Sequence, residues 1–86
     1  MITELSQTVD LMCSSDYKDR FAAEYFQLKI RYNKLVTMVE KWDRGELEFT
    51  PTCQRVIYDR QLSHMSDLLK VLDERAIIEN VDLESY

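Results

Sequence analysis

Between Asp16 and Arg44 the sequence interleaves cations with aromatic rings. Lys18, Arg20, Lys29, Arg31, Lys34 and Lys41 alternate with Tyr17, Phe21, Tyr25, Phe26, Tyr32 and Trp42. Guanidinium and ammonium groups hold phosphate oxygens through charge-assisted hydrogen bonds, while aromatic faces stack on bases and attract cations. On a helix, Arg20, Gln27, Arg31, Lys34 and Lys41 align along one flank, interrupted by Glu24 and Met38. The pattern suits an anion site, with Tyr17, Lys18, Arg20, Arg31 and Lys34 as the expected ligand contacts. A merely solvated charged flank would show the same spacing.

Groups able to break or make bonds are scarce. His64 is the only His and lies near an apolar seam, where it reads as a packing or surface residue rather than a general base. Cys13 and Cys53 lie far apart, with no Cys-x-x-Cys or His-x-x-x-His spacing. No metal site is expected, and both thiols read as reduced small hydrophobes. Gly45 is the only Gly, which excludes a glycine-rich phosphate loop. The chain reads as a binding protein with no catalytic residue and no cofactor.

The elements that must position these side chains follow from composition and period. One Gly and one Pro in 86 residues favour a few long helices over a sheet. A chain of this size forms one domain, residues 1–86, and buries only about 60% of its unfolded surface, so self-association is expected. The net charge of −5 argues against general nucleic-acid binding through phosphates. That charge is uneven: residues 16–44 hold seven Lys or Arg against five Asp or Glu, and residues 55–86 hold four against seven. No apolar run approaches the roughly 20 residues of a membrane span, and no signal-peptide pattern opens the chain, so a cytosolic location is expected.

Three helices are predicted, at about residues 3–12, 16–44 and 54–79. In the first, Thr3 can act as the cap, and Ile2, Leu5, Val9 and Met12 share a face. In the second, Phe21, Tyr25, Leu28, Tyr32, Leu35, Val39 and Trp42 alternate four and three apart, an unbroken heptad seam. Ser15 or Asp16 can cap its start, and Gly45 is placed to end it in the left-handed conformation. Pro51 disfavours helix at Thr50, and the third helix then carries Tyr58, Leu62, Met65, Leu69, Leu72 and Ala76, with Ile57, Leu68 and Val71 widening the stripe. Residues 80–86 are expected to fray, with Val81 and Leu83 available to dock. The predicted fold is all-α: a short N-terminal helix plus a long antiparallel two-helix hairpin. A second apolar face of the long helix, including Phe26, Ile30 and Val36 and broken by Lys29 and Asn33, calls for a further partner: the N-terminal helix is one candidate, but it is too short to cover the whole length, so the interface of a homo-oligomer is expected.

The run Asp16-Tyr17-Lys18-Asp19-Arg20-Phe21, with Glu24-Tyr25, Gln27 to Tyr32 and Lys34-Leu35, continues into Glu40-Lys41-Trp42, Gly45, Leu47, Phe49, Pro51 and Cys53. Together with Gln61-Leu62, Met65, Leu72, Arg75-Ala76 and Glu79, it resembles a family of small gut-phage and prophage proteins named after a crAss-like phage member. The resemblance spans about residues 15–83, with Gln54 standing where many members have Pro. It implies a phage or prophage origin and a location in the host bacterial cytoplasm, without a settled activity. The architecture is more loosely similar to the phage sponges that counter CBASS and Thoeris defence by trapping cyclic-nucleotide signals between protomers. Sequestration of such a signal is therefore the leading expectation. A direct inhibitor of a host defence effector, using the acidic final segment, and a virion assembly protein are the alternatives.

Overall fold

The alternating apolar spacing of the two long stretches is realised as helices that fold back on one another. The computed structural model describes all residues, Met1–Tyr86. A 3-10 turn, Leu5–Thr8, runs into the single turn α1 (Val9–Met12). Helices α2 (Tyr17–Asp43) and α3 (Arg55–Ile78) form the hairpin, and a second 3-10 turn, Leu83–Ser85, follows. The molecule measures 43 × 24 × 19 Å, a length that matches the roughly 40 Å of a 27-residue helix.

Local chemistry sets the ends of both long helices. Asp16 caps α2, its carboxylate accepting from the Lys18 amide at 2.9 Å. Gly45, with φ of 70°, closes α2: its amide donates to the Trp42 carbonyl, and the Glu46 amide to that of Lys41 at 2.8 Å. Asn80 closes α3 the same way with φ of 57°; the Asn80 amide donates to Ile77 and the Val81 amide to Ala76. Both are Schellman caps, and Asn is one of the few side chains that tolerate this conformation.

The second cap decides where the core lies. It turns the chain back so that Val81 joins Phe21, Leu72 and Ala76 in one buried cluster, with Tyr25, Leu28 and Leu83 packed against it. Ala22 and Ala23 are 0% and 1% exposed, small enough for neighbouring segments to press against α2.

Four expectations need correction. The N-terminal helix is a 3-10 turn and one α turn, headed by Glu4 rather than Thr3. The Gln7 carboxamide oxygen accepts from both the Thr3 and Glu4 amides, and Val9 and Met12 stay half-exposed. Residues 80–86 do not fray: Val81 is buried, and Leu83 and Tyr86 are partly so. Ile57, Leu68 and Val71 do not widen the packing stripe: each stays about half exposed, beside the Tyr58-to-Ala76 row whose Leu72 and Ala76 are buried with Phe21. Cys13 and Cys53 are free thiols on the surface rather than packed.

Candidate ligand groove

On α2, Tyr25, Lys29 and Asn33 follow one another at intervals of four, and so do Phe26, Ile30 and Lys34. A four-residue step nearly completes a helical turn, so these form two neighbouring rows along one face. The N-terminal residues Met1, Ile2 and Thr3 and the C-terminal residues Leu83, Glu84 and Tyr86 flank that face, and an open groove of about 720 Å³ lies between.

The C-terminal wall is tied down at several points. The Tyr86 hydroxyl donates to the Asp19 carboxylate at 2.7 Å, and its ring meets Phe26 edge-on at 6.4 Å. Lys18 donates from Nζ to the Asn80 carbonyl at 3.2 Å, and the Asp82 carboxylate accepts from the Glu84 amide. Burial and the neighbouring Asp19 charge push the Tyr86 hydroxyl up to about 12. The hydrogen bonds from Tyr86 and Ser14 in turn hold the Asp19 carboxyl below its usual range. Tyr25 packs edge-on against Phe26 at 5.3 Å, and burial, then the charge of Asp73, raises its hydroxyl above the ordinary phenol value.

The groove thus has two chemical zones. Tyr25, Phe26 and Tyr86 provide aromatic surface, and Ile2, Ile30 and Leu83 provide aliphatic surface. Lys29, Lys34 and Asn33 offer ammonium and amide donors, and Glu84 is the one acidic group. Such a set accommodates a flat ring against apolar walls while an anionic group meets the ammonium donors. A shallower hollow of about 300 Å³ lies on the other side of Lys34, where Lys41, Met38 and Phe49 join it.

Of the five expected ligand contacts, only Lys34 borders either space. Tyr17 is exposed at the start of α2, and Lys18 is held by the Asn80 carbonyl. Arg20 donates to the Ser14 carbonyl at 2.7 Å and so fastens the loop before α2. Arg31 is exposed outside the groove. The first turn of α2 and Lys34 stand about 25 Å apart along the helix, so the five do not form one cluster. Of the expected interface residues, Ile30 is 8% exposed and forms the groove floor with Phe26, while Val36 is half-buried. Sequence reasoning passed over Lys29, Asn33 and Tyr86 as site residues. The signal for the first two was present, since they are the polar breaks in an otherwise apolar face.

The structure is thus a helical hairpin that carries an open groove with aromatic and cationic zones. The chain belongs to the Sequestin family, whose family model matches residues 15–78, and the family's name denotes sequestration. The match covers α2, the connector and α3, and therefore the helical face of the groove; the N-terminal and C-terminal walls lie outside it. No curated protein and no solved structure matches the chain significantly.

Proposed function

We propose that this protein withdraws a nucleotide signal from solution by binding it in the groove between the chain ends and α2. In this reading the base lies against Tyr25, Phe26 and Tyr86, and phosphate oxygens meet Lys29 and Lys34. The signal is a cyclic nucleotide or related immune messenger, and the setting is a phage or prophage protein acting in the host cytoplasm against antiviral defence. The resemblance to gut-phage proteins supports that setting. The observation that carries the reading is the adjacency of three aromatic rings and two ammonium groups in one open groove. Sequestration requires affinity and abundance but no turnover, which fits the want of an acid–base or nucleophilic constellation.

The test is thermal unfolding against a panel of cyclic di- and trinucleotides and cyclic ADP-ribose isomers. A ligand present at 100 times its dissociation constant adds about 2.7 kcal/mol of stability. Phe26→Ala and a Lys29→Glu/Lys34→Glu pair are each expected to weaken binding by at least about tenfold, as loss of a stacking face or of charge-assisted bonds would. Arg31→Glu, outside the groove, should change affinity less. If no member of the panel shifts the transition, nucleotide sequestration is wrong for this protein.

A further inference from the structure

The face of α2 that floors the groove does not stop at Lys34. Phe26, Ile30, Lys34, Met38 and Lys41 follow at steps of four, four, four and three, which keeps them on one strip of the helix. The groove takes its α2 residues from Tyr25 to Lys34, and the hollow of about 300 Å³ takes its own from Lys34 to Lys41. Lys34 is the one residue that lines both. At a rise of about 1.5 Å per residue, the two spaces are centred about 12 Å apart along the helix, with Lys34 midway.

Each space repeats the same set of groups. The groove has aromatic rings, the ammonium of Lys29 and one carboxylate, Glu84. The hollow has the ring of Phe49, the ammonium of Lys41 and the carboxylates of Glu46 and Glu48. Glu46 pairs with Arg44 at 3.0 Å, which leaves Glu48 as the free acid. Phe49 is 57% exposed and meets no other ring, so its face is open for stacking. The Gly45 cap places it there, since the Glu46 amide donates to the Lys41 carbonyl and turns residues 46–49 back along α2. Lys29, Lys34 and Lys41 enter no ion pair within the chain.

We infer that the groove and the hollow are two halves of one site, and that its ligand is a dinucleotide. Two nucleosides joined through phosphate put the linking charge at Lys34 and a base at either end. The inference rests on the groove's reading as a nucleotide site and adds Phe49 and Lys41 to it. A mononucleotide fills the groove alone and leaves the hollow to water. In a dinucleotide the second base covers Phe49, and a further phosphate meets Lys41. Glu48 then accepts from an amino group on that base's edge, as carboxylates do from cytosine.

Calorimetric titration of the full chain separates this from the groove's own role. The probes are diadenylate and diguanylate, each linear and cyclic, with AMP and GMP as single-base controls. At least one dinucleotide is expected to bind at least about tenfold more tightly than its mononucleotide, the gain of one stacked base. Phe49→Ala should remove most of that gain and leave the mononucleotide affinity unchanged. Lys41→Glu should weaken the dinucleotide at least about fivefold. Both side chains are exposed, so helicity by circular dichroism should not change. Phe26→Ala, in the groove, should weaken both classes. Equal affinities for the two classes, a gain that Phe49→Ala does not reduce, or a Phe49→Ala loss shared by the mononucleotide overturns the two-part site while nucleotide binding in the groove stands. Binding by none of the probes overturns it too, and the groove's reading falls with it only if the wider panel of cyclic signals also fails.

Discussion

Where α2 begins, the helix is enclosed by α1, α3 and the C-terminal segment, and Phe21, Ala22 and Ala23 are 5%, 0% and 1% exposed. Where it ends, Val39 is the one buried residue between Arg31 and Leu68. That end is held instead by polar and aromatic contacts. Arg55 pairs with Asp43 and Asp59 and lies 5.5 Å from the Trp42 ring, and Trp42 meets Tyr58 edge-on at 5.9 Å. The difference teaches that a hairpin of uniform sequence period need not be uniformly stable. Burial withdraws apolar surface from water at about 25 cal/mol per Å², whereas exposed ion pairs contribute little. The groove lies between the two regimes, its floor firm at Phe26 and Ile30 and its rim open toward Lys34.

Substitutions at the two ends sharpen or break that contrast. Leu72→Ala, at a side chain 1% exposed, should cost about 2–5 kcal/mol by urea unfolding. Ala22→Leu should cost about 1–3 kcal/mol, because a side chain 0% exposed has no solvent-facing space into which a larger one could extend. Leu62→Ala, half-buried at the open end, should cost only about 1 kcal/mol. If Leu62→Ala proves as costly as Leu72→Ala, the contrast is false.

The pH dependence probes the enclosed end more gently. Asp19 titrates below its ordinary value of 3.8 in the folded protein, so its contribution is present above about pH 4 and disappears as pH falls through the lower folded value. Tyr86 works in the opposite direction. Its proton is held up to about 12, so its contribution is complete below about pH 10 and disappears as pH rises toward 12. Tyr86→Phe should lessen both the alkaline dependence, part of which Tyr25 retains, and the acid one, since Ser14 still donates to Asp19 at 2.8 Å. The smallest effect is expected for Arg55→Ala. It should scarcely move the unfolding midpoint while speeding amide exchange in the last turn of α2 and the first of α3.

The hairpin was legible because its determinants are local. Two runs of alternating four- and three-residue spacing and a lone Gly45 specify two helices and the stop of the first. The C-terminal wall was not legible for the opposite reason. Its reversal uses Asn80 where a glycine would have been an overt signal, and its anchors join residues 62 and 67 positions apart. Periodicity carries no trace of such pairings. The basic flank misled because a shared helical face says nothing of what else reaches it: Lys18 and Arg20 turned out to fasten backbone carbonyls. Lys29 and Asn33, breaks in an apolar surface, were the better clue to a ligand site.

The Tyr86–Asp19 bond ties two segments far apart in the chain to a single carboxylate. Asp19 accepts from Ser14, in the loop before α2, at 2.8 Å and from Tyr86, on the far wall of the groove, at 2.7 Å. A departure of that wall would therefore also loosen the loop, so the groove's rim and the entry to α2 should breathe together in amide exchange.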